Sequence, residues 1–410
     1  MREVETLIIG GGLAGLACAL TLQQAGREAV IVEADSTPGG RVRTDHVGGF
    51  TIDRGFQVLL TAYPEAQRWL DLEALDLRRF VPGARIHTAS GWQQLGDPLR
   101  RPGDLWPTLR ADVGTLADKA RILRWRLRVA GLGHGAGRPD ELLADALPGS
   151  LGFSRVMISR FLAPFLGGVF LDPELRVSRR MADFVWQMFS SGHATVPARG
   201  MQAIPDQLAA RLQPGSLVTG VRALALHELG VDCSDGLRPA RHTVIATTMR
   251  EAARLLDEPS IDRSSQRCTH WSFAAPTSPV GEAVLCLDGE RAGPVNNLHA
   301  VTDLVPEASP DGRALISATE LGDSADEGAV RAQLTGWFGG EVESWELLQR
   351  RTIAEALPRQ RPEDLRPWER PPRRGDRLWL CGDHRTQSSI EGALRSGRLT
   401  AEALLQEPRR

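Results

Sequence analysis

The chain has 410 residues, enough for two or three domain-sized units with buried cores. Hydrophobic residues make up 42% of it and charged residues 24%, which excludes a wholly disordered or fibrous chain. The formal net charge is −2, so no nucleic-acid partner held by bulk positive charge is expected.

The five cysteines lie far apart in the sequence and form no CxxC pair. This spacing predicts neither a disulfide framework nor a zinc site, and the histidines form no HExxH cluster, so we expect no metal. The N-terminus shows no signal-peptide pattern, and the longest uncharged apolar stretch, 161–171, is too short to span a bilayer. We therefore expect a cytoplasmic protein.

The N-terminal residues predict a strand–helix–strand unit. A short apolar strand from Glu5 to Ile9 precedes the glycines of a GxGxxG pattern, and a helix then extends to about Gln24. A second strand over 29–32 is followed by Glu33. A strand before the glycines, a helix after them and an acid at this distance together indicate a βαβ unit that binds an adenine dinucleotide.

Each residue of this pattern has a physical task. Gly10 allows the tight turn, Gly12 lets the backbone approach a pyrophosphate, and Gly15 permits close packing of helix and strand. The helix N-terminus supplies free N–H groups and a partial positive charge for the phosphates. Glu33 can accept hydrogen bonds from both ribose hydroxyls, and it would repel the 2′-phosphate of NADP.

The segment 38–44, PGGRVRT, distinguishes between FAD and NAD. Its glycine pair, Arg41 and Thr44 resemble the GGRxxT motif of the flavin-containing amine oxidoreductase superfamily, which includes monoamine and polyamine oxidases, protoporphyrinogen oxidases and carotenoid desaturases. The resemblance implies that the Arg41 guanidinium reaches the FAD diphosphate and ribityl chain. A fixed cation beside a diphosphate makes charge-assisted hydrogen bonds.

Four further segments extend the resemblance. Residues 53–57 look like the family segment beside the flavin ring, 197–204 like the segment that returns to the FAD domain, and 217–221 like the strand beneath the adenine. The C-terminal 381–397, with a helix expected from about Gly392 to Leu405, is similar to the family's AGD…GxxxGAxxSG ending. The resemblance implies non-covalent FAD held by Gly10, Gly12, Leu13, Ala14, Gly15, Glu33, Ala34, Gly39, Gly40, Arg41, Gly55, Phe56, Gln57, Val221, Thr247, Gly382, Asp383, Ser389, Ile390 and Ala393.

The same resemblance implies an α/β fold with two domains. A discontinuous Rossmann-like FAD-binding domain, of the glutathione-reductase type, is expected over 1–85, 196–262 and 372–410. A second, α+β domain over 86–195 and 263–371 would bind the substrate.

Enzymes of this family pass a hydride to flavin N5, so the protein has mainly to position the substrate. The flavin-proximal candidates are Phe56, Gln57, Arg199, Gly200, Trp271 and Phe273, and no catalytic residue is identified. Many amine oxidases of the family have a lysine near N5 and a pair of tyrosines; here the only lysine, Lys119, lies in another segment and Tyr63 is the only tyrosine.

We therefore expect an FAD-dependent oxidoreductase of the desaturase or protoporphyrinogen-oxidase type. It would act on C–H or C–N bonds of an apolar or amphipathic small molecule and pass electrons to oxygen or a quinone. One alternative is an amine oxidase with a modified aromatic cage, and another is a non-catalytic FAD-binding redox sensor. The sequence leaves the oligomeric state open.

Two apolar patterns lie in the first insertion. Leu116, Ala120, Leu123, Leu127 and Ala130 recur at helical spacing among four arginines. We expect a helix packed on its own domain, with weak contact to an anionic membrane as the alternative. The second pattern is an uncharged group that forms either core or cavity wall: Phe161, Leu162, Phe165, Leu166, Val169, Phe170, Trp186 and Phe189.

Overall fold

The computed structural model describes residues 2–130 and 140–407. In chain order the strands are β1 (Val4–Ile9), β2 (Ala29–Glu33), β3 (Thr44–Val47), β4 (Phe50–Asp53), β5 (Leu59–Leu60), β6 (Leu77–Arg79), β7 (Gly83–Thr88), β8 (Gly91–Gly96), β9 (Ala194–Pro197), β10 (Leu217–Thr219), β11 (Ala223–His227), β12 (Gly230–Cys233), β13 (Gly236–Ile245), β14 (Ser265–Ala275), β15 (Leu285–Asp288), β16 (Val295–Ala300), β17 (Ala314–Glu320), β18 (Glu346–Pro358) and β19 (Leu378–Leu380).

The α-helices, again in chain order, are α1 (Leu13–Gln24), α2 (Pro64–Trp69), α3 (Leu105–Arg110), α4 (Leu116–Ala130), α5 (Leu143–Ala146), α6 (Arg155–Met157), α7 (Ala163–Phe170), α8 (Arg179–Ser191), α9 (Ala203–Ala209), α10 (Met249–Leu256), α11 (Glu327–Phe338) and α12 (Ile390–Leu405). A π-helical turn over Ile158–Leu162 joins α6 to α7.

The first large sheet is built from the segments that resemble FAD-binding motifs. Its parallel part has the order β10-β2-β1-β13-β19, and β11 and β12 extend it as an antiparallel meander from β13. The strands β1 and β2 are nearly continuous apolar runs, as expected where both faces of a parallel sheet are covered. The mixed α/β fold with a Rossmann-like parallel sheet confirms the predicted fold class.

The second large sheet has the order β18-β14-β17-β16-β15-β7-β8 and is antiparallel except between β15 and β7. Apolar side chains on one face of this sheet pack against α11, and the other face borders the loops of the first sheet. The predicted domain ends at 85 and 195 both fall inside strands, β7 and β9 respectively. All of β7 belongs to the second sheet. The division of the chain into two domains stays a prediction.

Helices α1 and α12 pack backbone against backbone. A Cβ atom built on Gly397 would lie 2.0 Å from the carbonyl oxygen of Ala14. The neighbouring Ser396 accepts a hydrogen bond from the backbone N–H of Gly382 at 3.1 Å, so α12 also fixes the turn after β19. The SG pair of the C-terminal motif is therefore explained by close packing between the two ends of the chain.

Gly397→Ala is expected to lower the free energy of unfolding by about 1–3 kcal/mol or more, because the new methyl group has no room beside α1. The matched control is Gly336→Ala in the exposed face of α11, where a Cβ would meet nothing within 4 Å. That variant should gain about 0.4–1 kcal/mol. Urea unfolding of both holoproteins measures the difference, and an equally stable Gly397→Ala protein would contradict the packing described.

Candidate active site

One cavity of about 1350 Å³ extends from the carboxyl ends of β1 and β2 to helices α3, α4, α7 and α8. Of the twenty residues predicted to contact FAD, all except Gly15 line this cavity. Gly15 packs instead against the turn, since a Cβ there would lie 2.0 Å from the carbonyl oxygen of Gly10. The structure thus brings four separate sequence segments together around one space. That each of these residues contacts FAD there stays a prediction.

The turn between β1 and α1 has the geometry that a diphosphate needs. Gly10 has φ +107°, and a Cβ there would meet the carbonyl of Ala246 at 2.7 Å. At Gly12, by contrast, a Cβ would meet no protein atom within 4 Å, so the space on the side of this glycine where a side chain would lie is open. Gly12 precedes the first turn of α1, whose N–H groups are available to an anion.

Glu33 is fixed in place by two backbone amides. Gly11 donates to Oε2 at 2.6 Å and Asp35 donates to Oε1 at 2.8 Å. Each carboxylate oxygen keeps a further lone pair for a ribose hydroxyl. The carboxylate therefore both shapes the glycine turn and lines the cavity.

The two motifs with charged residues meet in an ion pair. Arg41 Nη2 contacts Asp383 Oδ1 at 2.5 Å, and Arg41 Nη1 donates to the carbonyl of Ala356 at 3.3 Å. Both side chains line the cavity between the glycine turn and Gly55. Asp383 thus orients the guanidinium that the resemblance assigns to the diphosphate.

Helix α12 begins at the cavity. Its N-cap Ser389 accepts a hydrogen bond from Gly392 N at 3.0 Å, and Ile390 and Ala393 line the wall. The helix starts two residues before the predicted Gly392. Its N-terminal partial positive charge is available to stabilise negative charge in the cavity.

Two arginines near Gly55 lie close together in the structure, and the sequence analysis did not predict this pair. Arg54 and Arg351 both line the cavity, and both donate to Asp45, at 2.9 Å and 2.7 Å. One carboxylate shared by two guanidiniums leaves positive charge on this wall. Arg351 is on β18, a strand without a recognisable motif, so only the three-dimensional pairing reveals it.

The structure corrects the placement of Trp271 and Phe273. Both are buried in the core between the second sheet and α11, on the face of β14 that points away from the cavity. Side chains alternate along a strand, so Cys268 on the opposite face lines the cavity instead. The Trp271 indole donates to Glu320 at 3.3 Å.

Two more flavin-proximal candidates lie outside the large cavity. Arg199 is exposed at the surface, and Gly200 packs against Thr44, where a Cβ would lie 2.6 Å from the hydroxyl oxygen. Phe56 and Gln57 do line the cavity, and the Gln57 side chain donates to the carbonyl of Arg41 at 2.7 Å.

Gly200 instead borders a small chamber of about 30 Å³ behind Phe56. Burial raises the pKa of Asp53 in its wall to about 6, and it lowers the pKa of His270 to about 4 and of His299 to about 3. Neither ring nitrogen of His270 has a hydrogen-bond partner in the protein. The chamber is large enough for one water molecule, and both histidines are neutral near pH 7.

The far end of the large cavity is an apolar lobe. The uncharged group noted in the sequence lies on the π-helical turn, α7 and α8, and only part of it lines the lobe. Leu162 and Leu166 point into the core. The other members line the lobe, namely Phe161, Phe165, Val169, Phe170, Trp186 and Phe189. The group thus contributes both to the core and to the cavity wall, and Phe161, Phe170 and Trp186 belong to both.

Three residues that line this apolar lobe each have a buried polar group without a protein partner. These groups are the Nδ2 of Asn297, the hydroxyl of Thr319 and the indole N–H of Trp186. Asn297 and Thr319 are cross-strand neighbours on β16 and β17. The Oδ1 of Asn297 already accepts from Asn296 at 3.0 Å, so its free group is a donor. All three groups can donate a hydrogen bond, and leaving them unpaired is costly.

Comparison with known proteins identifies the class. The family model for flavin-containing amine oxidoreductases matches residues 13–405. The chain belongs to this family. It is therefore an enzyme, an oxidoreductase that uses FAD, and the glycine turn, Glu33, Arg41 and the start of α12 provide a fitting site for that cofactor.

Individual relatives are similar to the chain over different lengths. A coproporphyrinogen III oxidase of Propionibacterium freudenreichii is 27% identical over 384 residues, 76% of this chain and 71% of the relative. A phytoene dehydrogenase of Streptomyces griseus is 40% identical over 98 residues, 22% of this chain and 18% of that one. The crystal structure of a putative protoporphyrinogen oxidase from Exiguobacterium has a TM-score of 0.73 at 17% identity, covering 99% of this chain and 100% of its own.

Gly12→Asp is expected to yield folded, colourless protein. The new side chain has open space within the protein, but its carboxylate would occupy the place and carry the charge of the pyrophosphate. Gly340→Asp, at an exposed glycine with equally open surroundings, should keep its flavin. Flavin released by heat and measured by absorbance per mole of protein decides the comparison. A fully flavinated Gly12→Asp protein would disprove the assignment.

Glu391, in the first turn of α12, gives a pH-dependent prediction. Burial raises the pKa of its carboxyl to about 7, with Glu65 nearby adding to the effect. The folded state therefore favours the neutral acid, and stability falls as pH rises from about 4.5 to 7. Glu391→Gln, which is neutral throughout, should be more stable than the native protein by about 1–3 kcal/mol at pH 8.

That difference should disappear at pH 4.5, where the native carboxyl is protonated in the folded protein. Urea unfolding at both pH values, with the same excess of FAD, measures it. An equal gain at the two pH values would mean that Glu391 is not held neutral by its surroundings.

Proposed function

We propose that this enzyme oxidises a large apolar or amphipathic small molecule at a C–H or C–N bond, in the manner of the desaturase and porphyrinogen-oxidase relatives. The observation that carries the proposal is the apolar lobe, which is continuous with the predicted FAD site. The whole cavity, about 1350 Å³, exceeds the roughly 300–1,000 Å³ usual for a single small ligand. It has room for a cofactor and a substrate.

FAD, when bound, supplies the acceptor for a hydride. The chain's own part is to bind the substrate, orient it and exclude water. Phe161, Phe165 and Trp186 form a continuous aromatic part of the lobe's wall. The donors of Asn297 and Thr319 are buried at the wall and have no protein partner, so a substrate with carbonyl or carboxylate oxygens at its inner end would pair with them once these side chains turn towards the lobe.

The amine-oxidase alternative receives less support. A protonated amine needs a carboxylate or a cage of aromatic rings, and cation–π contact is the usual basis of such cages. Among the described residues that line the apolar lobe, the one carboxylate is Asp97. Asp97 is already paired with Arg126 at 2.7 Å and with Arg100 at 3.5 Å. The single tyrosine, Tyr63, lines the cavity but stacks on Phe184.

Anaerobic flavin reduction tests the proposal. The holoenzyme is mixed without oxygen with porphyrinogens, with acyclic polyenes and with aliphatic amines, and flavin absorbance is followed. We expect bleaching by a member of the first two classes. Bleaching by amines alone would return the amine-oxidase alternative to first place.

Asn297→Asp tests the orientation of the substrate in the same assay. Aspartate is nearly isosteric and can still accept from Asn296, but it replaces the free donor with a negative charge. We expect flavin reduction by the active compound to slow by roughly tenfold or more, the equivalent of one lost hydrogen bond. An unchanged rate would mean that the substrate does not reach Asn297.

A further inference from the structure

The apolar stripe of α4 faces outward. Leu116 is 64% exposed and Leu127 is 67% exposed, and Leu123 is exposed between them. The helix packs through the opposite side, where Trp125 is buried and donates to Asp183 at 2.6 Å. The helix therefore packs on its own domain through the face opposite the stripe, and the stripe itself is exposed. A stripe of leucines in water requires an explanation.

The stripe is part of a larger apolar surface, which we call the α3–α4 face and define as the exposed side chains of residues 99–127. Among the described residues, seven of the ten exposed large apolar side chains lie on it. They include Trp106, which is 66% exposed and lies on α3. Such concentration in one short segment marks an interaction site rather than scattered surface residues.

The α3–α4 face borders the apolar lobe where the cavity reaches the surface. Leu105, Leu109, Leu116 and Leu123 are exposed on the outside and also line the cavity. The same side chains thus form both the surface and the entrance. A molecule that enters the lobe from this direction meets leucines together with the cations Arg100, Lys119 and Arg126.

The charge of this segment differs from that of the rest of the chain. Residues 97–130 contain eight arginines and lysines and four aspartates, a net charge of +4 in a chain whose total is −2. Arg124 is exposed beside the stripe, and the guanidinium of Arg110 lies 6.0 Å from the ring centre of Trp106. Apolar side chains bordered by cations match the composition of interfacial helices on anionic bilayers.

We propose that the α3–α4 face docks on the surface of an anionic lipid bilayer, so that the cavity opens towards the lipid. The attachment is interfacial, because among the residues described no helix is long and apolar enough to cross a membrane. A second copy of the chain fits this face less well, since two surfaces of charge +4 repel each other. The role of the opening as a substrate entrance rests on the proposed function; the docking does not.

Vesicle sedimentation of the holoenzyme tests the docking. Vesicles of phosphatidylcholine with an equal part of phosphatidylglycerol are compared with pure phosphatidylcholine at about 0.1 M salt, where charge is screened beyond about 10 Å. We expect at least tenfold stronger partition onto the anionic vesicles. The double variant Trp106→Ser/Leu127→Ser should lose at least tenfold of this binding, since both side chains are exposed and neither lines the cavity.

The matched control is Leu224→Ser/Leu229→Ser, which removes two leucines of 48% and 57% exposure on the meander of the other sheet. It should bind like the native protein. Native flavin content in both double variants shows that they are folded. Equal vesicle binding by the native protein and the Trp106/Leu127 variant would overturn the proposal, as would absence of binding to anionic vesicles.

Two further measurements separate the outcomes. A concentration-dependent dimer in light scattering that disappears in the Trp106/Leu127 variant, without vesicle binding, would assign the face to a second copy and overturn the proposal. Flavin reduction by detergent-dispersed substrate should be the same in native protein and variant. Failure of reduction by every compound, with vesicle binding intact, would overturn the proposed function alone.

Discussion

The contact between α1 and α12 is the constraint on which the FAD end of the molecule depends. Gly397 allows the two helix backbones to touch, which places the first residues of α1 beside the turn that follows β19. Arg41 and Asp383 can then form their ion pair, and Ser389 can start α12 at the cavity wall. A phosphate-binding turn, a guanidinium and a helix N-terminus from distant parts of the chain thereby converge without any long-range covalent link.

The parts of this site that the sequence predicts are those with a local physical cause. Gly10 must have positive φ, Gly12 must leave space, and a strand and a helix of ordinary length must flank them. These requirements fall within thirty residues of one another, so they are visible without the fold. Arg351, Asn297 and Thr319 have no such local requirement, because what matters about each is the strand beside it.

Two of the predicted flavin-proximal residues, Trp271 and Phe273, lie away from the cavity. They are on a strand that does border the cavity, but alternation along β14 turns them towards α11. Which face of a strand is functional depends on what lies on each side of the sheet. For α4 the periodicity correctly groups Leu116, Leu123 and Leu127 on one side, yet the stripe is exposed. Hydrogen bonds of Trp125 and Asp118 hold the other side inward.

The polar surroundings differ between the small chamber behind Phe56 and the end of the large cavity near α4. The small chamber behind Phe56 holds neutral histidines and an acid that burial keeps largely protonated below pH 6, so charge there is low. Towards α4 the lining carries cations and leucines. A molecule in the lobe therefore meets apolar surface along most of its length. An apolar molecule enters such a lobe at the lowest cost in free energy when little of its surface meets water on the way. Each Å² of apolar surface exposed to water costs roughly 25 cal/mol. An apolar lobe bordered by exposed leucines is thus one consistent physical solution, in which the outward leucines of α4 extend the apolar surface to the outside.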